Sequence, residues 1–344
     1  MLEDDKNLPF HLARNAGFGT ASPGDDLLHP EMNARISHET LTETQYLSFS
    51  IPEASIHSNL YLWHHPNLGV VSGGAWVWQG SKRHPVEAEL NDFRLFMADD
   101  PLKNDLHEYR LINSYGVKVI EPLKRLQASY SDPVRQNSFD LEFTALLPPV
   151  MTADNTHFEQ AMQVRGELTL RGQRFAVDCF TIRDRSWGKP RQEDPMTLPP
   201  LTTVQGVFGE DFAFSSLLFD DTSGQPGYEQ FALPADRLIP SGSWVWRDGK
   251  LAPIVKARRQ VERHPDRFNT EKVLLEITDD LGRDFAIRTN TIVTWPSFGF
   301  WPNQMVVHNC VEIECEGRRA HGEIYDIISH DYMQHRAHVI QGGK

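Results

Sequence analysis

Short runs in which apolar and polar residues alternate, broken by turn residues, recur along this 344-residue chain. The first half holds LSFSI (47–51), LYLW (60–63), AWVW (75–78), FRLFM (93–97) and FDLEFTAL (139–146). The second holds FAFSSLLF (212–219), SWVW (243–246), KVLLEIT (272–278), FAIRTNTIVTW (285–295), CVEIEC (310–315) and HGEIYDII (321–328). Period-two alternation over four to eight residues, rich in aromatic and β-branched side chains, is the strand signal. Helical periodicity is scarce, so the chain reads as all-β, built of antiparallel barrels or sandwiches with few helices. A barrel of about eight strands leaves room inside for one small ligand, and the site is expected in that interior.

The first forty residues, with GFGTASPGDD and few periodic apolar positions, read as a loosely structured arm. KPRQEDPMTLPP (189–200) is rich in proline and charge, the composition of a linker. This divides the chain into an arm (1–40), a first barrel (41–190) and a second (191–344). Gly74-Ala-Trp-Val-Trp78 is echoed by Gly242-Ser-Trp-Val-Trp246, which suggests two similar halves.

Residues 157–184, HFEQAMQVRGELTLRGQRFAVDCFTIRD, read as a hairpin bent at RGQR. With a loop of Arg171-Gly172 or of Gly172-Gln173, Asp184 faces Glu159 or Ala161. Either way His157, Glu159, Asp184 and Ser186 share a side, with Phe180 and Ile182 further down, because directly opposed residues project to one face. A three-residue loop would reverse the parity. Should that side be interior, burial and the second carboxylate both disfavour the Asp184 anion, and a carboxyl that keeps its proton can act as a general acid. The competing reading pairs Asp184 with Arg183, Arg185 or Arg191 at an ordinary strand end, which would favour the anion instead.

Composition narrows the partners. Lysine and arginine number 34 against 47 acidic residues, a formal charge of −13, so nucleic acid and anionic membranes are repelled at long range. No run approaches the roughly 18 apolar residues of a membrane span, and MLEDDKNLPF has acid where a signal peptide has base. Cys179, Cys310 and Cys315 form no C-x-x-C pair and suit a reducing compartment. A cytoplasmic location is expected, with a homodimer as the assembly allowed for. His64, His65, His330, His335 and His338 lack ligand spacing, GFGTASPG lacks the dinucleotide fingerprint, and there is no G-x-S-x-G. No metal and no cofactor are expected.

Asp184-Arg-Ser-Trp-Gly188, with Arg191 after it and HFEQ (157–160) before it, resembles the central motif of the carotenoid 1,2-hydratase (hydroxyneurosporene synthase) superfamily. YLWHHPNLGVVSGGAWVWQG (61–80) looks like the first barrel of the same group. The resemblance implies two lipocalin-like antiparallel barrels in tandem and makes Asp184 the proton donor to an alkene, with His157 carried over from the upstream histidine. Ser186 replaces the asparagine commonly found in the motif, Ile182 an aromatic residue, and Glu159 a tryptophan, so substrate and reaction are open to differ.

The expected function is acid-catalysed hydration, dehydration or isomerisation of an isoprenoid, steroid or aromatic-alkenyl compound by a cofactor-independent hydro-lyase, isomerase or cyclase. Asp184, Glu159 and His157 are its expected catalytic groups. Trp187 and Ser186, with Trp63, Trp76, Trp78 and Tyr325, are the expected substrate contacts, Trp187 shielding a cation. A non-catalytic carrier of apolar ligands and a structural scaffold are the alternatives from other classes.

Overall fold

The computed structural model describes residues 11–12, 17–191, 196–266, 268–301 and 303–342. The segment MLEDDKNLPF and part of the 189–200 linker lie outside them. The chain divides into two compact units, Phe18–Lys82 with Val86–Gln192, and Arg83–Pro85 with Glu193–Lys344 and the residues up to Gly17.

The first unit is a twelve-stranded antiparallel sheet. Its main strands are β1 (Leu41–Leu47), β2 (Ile56–His65), β3 (Val70–Gln79), β4 (Leu90–Ala98), β5 (Glu108–Arg110), β6 (Gly116–Glu121), β7 (Arg125–Asp132), β8 (Asn137–Ala145), β9 (His157–Leu170) and β10 (Gln173–Pro190). They pair in the order β4-β3-β2-β1-β10-β9-β8-β7-β6-β5. One side of the curved sheet packs an apolar core that includes Leu47, Leu60, Leu62, Val71, Phe139, Leu141, Val164 and Val177. That side is lined by packed apolar side chains, and by the register Glu159 and Asp184 stand on the other side of the sheet, not on the interior side where they were expected.

In the second unit eight strands close a barrel: β11 (Leu201–Gly209), β12 (Phe212–Phe219), β13 (Trp244–Arg247), β14 (Lys250–Arg263), β15 (Thr270–Asp279), β16 (Asp284–Trp301), β17 (Gln304–Cys315) and β18 (Arg318–Ser329). The order is β14-β13-β12-β11-β18-β17-β16-β15, with β14 paired back to β15. It repeats, strand for strand, the run β4-β3-β2-β1-β10-β9-β8-β7 of the first unit. The Trp-Val-Trp echo falls on the equivalent strands β3 and β13. The fold is a tandem of lipocalin-like antiparallel barrels with, among the described residues, two α-helices, α1 (Pro30–Asn33) and α2 (His330–Gly342). No helix among the described residues is long and apolar enough to cross a membrane.

The β9–β10 hairpin turns on Arg171 and Gly172, at φ 51° and 79°. Positive φ at both positions is the type I′ geometry whose twist matches that of the strands. Two acceptors hold this bend: Asn137 Oδ1 takes the Arg171 N–H at 2.8 Å, and the Gln136 carbonyl takes that of Gly172 at 2.9 Å. Of the loops the sequence left open, the two-residue Arg171-Gly172 loop is the one formed, and from Leu170↔Gln173 to His157↔Ser186 the register runs without a shift.

Residues 18–40 are not a loose arm. A 3₁₀ turn at Pro23–Asp26 leads into α1, and its Asp26 is buried against β10. Asp26 takes hydrogen bonds from Arg183 Nη1 at 2.6 Å and Nη2 at 3.2 Å, and from the Leu123 backbone N–H. Gln160 Oε1 accepts from Arg183 Nε at 3.0 Å and Nη2 at 2.7 Å, and the guanidinium lies 5.1 Å from the centre of the Phe158 ring. Arg185, also buried, donates to the Leu27 and Thr44 carbonyls and to Glu43. Burial works to raise the Asp26 pKa, but Arg183 and the Leu123 amide outweigh it and hold the carboxyl below its ordinary value.

Removing one member of a buried ion pair strands the other, at a cost of about 3–5 kcal/mol, whereas replacing both by apolar groups is far milder. Asp26→Ala should accordingly lower the unfolding free energy by about that amount in urea titrations, and Asp26→Leu with Arg183→Met should recover most of it. Because the folded pKa is depressed, the Asp26 contribution is complete above the ordinary carboxylate range and is withdrawn as pH falls below it. Wild-type stability should thus drop more steeply below pH ~4 than that of the double variant.

Candidate active site

Alternation along β10 sends Arg183, Arg185 and Trp187 to one side and Ile182, Asp184 and Ser186 to the other. Arg183 and Arg185 are occupied on the core side, so these neighbours do not clasp Asp184. Asp184 instead projects from the outward face of the sheet, where the register fixes its company. One row across the strands reads Glu159 on β9, Asp184 on β10, Tyr46 on β1, Tyr61 on β2 and Gly74 on β3. The next row reads His157, Ser186, Thr44, Trp63 and Ser72. Side chains directly opposed in a ladder have Cβ atoms about 4.5–5.5 Å apart, so the two carboxyl groups are immediate neighbours.

This outward face is withdrawn from solvent. Glu159 is 7% exposed, Tyr46 5% and Trp63 3%, while Asp184, Ser186, His157 and Tyr61 are half-buried. Polar groups taken out of water in such numbers cost free energy unless partners or chemistry justify them. The His157 Nδ1 and Ser186 Oγ lie 2.7 Å apart. Burial, followed by the Arg191 charge, lowers the His157 pKa to about 4, so the ring is neutral near pH 7. Burial likewise raises the Tyr61 phenol, with the charges of Arg191 and Asp184 acting on it in opposite senses. Arg191 also helps burial and His64 bring His65 down to about 4. One cation thus acts on three members of the cluster. The His65 ring leans on Trp63 at 4.3 Å between centroids.

The other expected contacts divide. Trp63, Trp76 and Trp78 share the outward face with Asp184; Trp76 bonds Asn91 Oδ1 at 3.0 Å and stacks on Phe93, and Trp78 meets His57 edge-on. Phe180 lies on that face too but is 36% exposed. Trp187 is a correction: it stands on the opposite face, stacked on His29 at 4.1 Å and packed with Met151 and Phe158, so it cannot shield a cation beside Asp184. Tyr325 belongs to the second unit, where its hydroxyl donates to Glu323. His64 reaches Asp99 at 3.2 Å, and among the described residues no group of three His, Cys, Asp or Glu side chains is gathered to hold a metal ion.

Sequence reasoning missed Tyr46, Tyr61 and Thr44 as members of the site. The signal was present in LYLW and LTETQYL, where one face of the strand carries tyrosine, threonine and tryptophan instead of charge. A strand polar on one face and exposed there has little use for aromatic rings in those places.

The fold recurs in solved structures. Kievitone hydratase from Nectria haematococca aligns with a TM-score of 0.51 at 12% identity, over 94% of this chain and 99% of that one. CghA aligns with a TM-score of 0.55 at 12% identity, over 93% and 96%. At such identity the likeness establishes the architecture alone. A search of curated proteins gave no match. The profile of one family, described as a domain of unknown function (DUF7064), matches residues 22–330, and the chain belongs to that family.

Proposed function

We propose that this protein is an acid–base catalyst that adds water to, removes it from, or isomerises a hydrophobic alkene or alcohol on the outward face of the first barrel. The observation that carries the reading is the row Glu159–Asp184–Tyr46–Tyr61, in which one carboxyl group lies between a buried second carboxyl and two phenol rings. The hydratase among the solved structures of this fold is consistent with it.

In the hydration direction Asp184, as the carboxylic acid, passes its proton to one carbon of the double bond, and the other carbon becomes cationic. The faces of Tyr46, Tyr61 and Trp63 stabilise that cation by about 2 kcal/mol where desolvated. Water adds its oxygen to the cation while its proton passes to His157 or Glu159, and proton return to Asp184 restores the starting state. The reverse sequence dehydrates an alcohol. Loss of a different proton from the cation gives the isomer.

The test is incubation with a panel of isoprenoid, steroid and aromatic-alkenyl compounds, read by mass for gain or loss of one water and by chromatography for isomers. Asp184→Asn should reduce turnover by about 10²–10⁴-fold, the range of a general acid, with unchanged circular dichroism. Turnover by the variant at the wild-type rate would remove the acid role, and an unreactive panel would leave the carrier reading in place of this one.

A neutral imidazole at position 157 predicts where the acid limb of the rate profile falls. With a folded pKa of about 4, His157 stays available as a proton acceptor down to that pH, well below the ordinary histidine value. The limb should lie near pH 4 in wild type and disappear in His157→Gln. Stability moves separately: the unfolded histidine takes up its proton first, so stability falls as pH drops from about 6.5 towards 4.

A further inference from the structure

The inner side of β14 ends in charge. Ala257 belongs to the core of the second barrel and Val261 packs against it, so alternation turns Arg259 and Arg263 to that same side. β13 pairs with β14 over Lys250–Pro253. Beyond it β14 runs on beside the end of β12, where Arg259 Nη1 donates to the Leu218 carbonyl at 2.7 Å. A cavity of about 350 Å³ opens there, lined by Leu218, Val261, Phe268, Asp220, Arg259 and Tyr332 of α2. Ligand sites span roughly 300–1,000 Å³ and are common at the mouths of β-barrels, so this one suits a small ligand.

The two arginines are unequally compensated. Arg263 donates to two carboxylates, Asp326 at 2.7 Å and Asp220 at 3.2 Å, and to the hydroxyls of Thr270 and Thr202. Arg259, with 4% of its side chain exposed, shares Asp220 and otherwise meets backbone carbonyls. Burial outweighs the pull of Asp220 and, with Arg263 beside it, holds the Arg259 guanidinium below the ordinary arginine range. Its bonds leave from Nη1 and Nη2, so among the described residues the Nε–H and the second Nη2 hydrogen are open. Tyr332 is 4% exposed, and its hydroxyl makes no hydrogen bond among the described residues. Burial pushes that phenol up to about 12, so it stays a donor near neutral pH. A buried hydroxyl without a partner costs free energy.

We propose that this cavity binds a small organic acid, its carboxylate on Arg259 and Tyr332 and its apolar body against Leu218, Val261 and Phe268. The open groups are all donors, so they select an acceptor, and a guanidinium fork matches a carboxylate better than a neutral carbonyl. Asp220 is held by both arginines, and Asp221 is exposed, where salt and solvent screen its repulsion. The site lies wholly within the second unit and does not rest on the reaction proposed for the first.

Isothermal titration of the full chain near pH 7 with 4-isopropylbenzoate and with the neutral amide of the same shape, 4-isopropylbenzamide, tests the assignment. The acid should bind at least about tenfold tighter than the amide, the discrimination of one charge-assisted hydrogen bond. Tyr332→Phe should weaken binding of the acid about tenfold. Val261→Trp, which fills the cavity and leaves its polar groups in place, should abolish binding, and either variant serves if the other does not fold. Asp184→Asn should bind the acid as wild type does. Equal affinities for acid and amide, no binding of the acid up to its solubility limit, or wild-type affinity in folded Tyr332→Phe or Val261→Trp would overturn the proposal. Loss of acid binding in Asp184→Asn would assign the ligand to the first barrel and overturn it equally.

Discussion

The unbroken register of the β9–β10 hairpin is the constraint on which the candidate site depends. From the type I′ bend at Arg171-Gly172 to the pair His157–Ser186, fourteen residue pairs follow without a bulge, and each fixes the side to which its residues point. A slip of one residue would carry two guanidinium groups to the outward face and bury Asp184 in the barrel. Both outcomes are expensive, since Arg183 and Arg185 have partners only on the core side. The ladder therefore has a single low-energy alignment, and the carboxyl pair is a by-product of the same alignment that pairs the arginines.

Those arginines explain why β10 can hold so much charge. Asp26 and Gln160 engage all three nitrogens of the Arg183 guanidinium, while Glu43 is shared among Arg185, His29 and Asn33. Of the arginines foreseen as partners of Asp184, Arg183 and Arg185 turn to the opposite face of the strand. Arg191, beyond the bulge between Ser186 and Lys189, is the cation that bears on the site itself.

Much of the fold was legible because period-two runs with aromatic residues survive inspection one strand at a time. The strands FAFSSLLF and KVLLEIT are matched closely by Phe212–Phe219 and Thr270–Asp279. Strands such as Arg125–Asp132, RLQASYSD, escaped because their inner positions include Ala128 and Tyr130, whose weak apolar character gives the alternation little contrast. The clustering of Asp184, Glu159, His157 and Ser186 was legible from parity alone. Which side of the sheet they occupy was not, because period two says which residues share a face and is silent on whether that face meets the core. The deciding partner, Asp26, lies 157 positions from Arg183 with no local mark of its role. Trp187 was misplaced by proximity: adjacent to Ser186 in sequence, it had to point the other way.

That separation bears on how the chain reaches its native form. The Pro23–Asp26 turn is synthesised 157 positions ahead of Arg183, its anchor on β10, which follows only after most of the first barrel has been made. Closing so long a loop carries a large entropic cost and slows folding relative to local contacts. The segment carrying this turn therefore docks late, and until it does the Arg183 guanidinium stands in the barrel without its carboxylate partner.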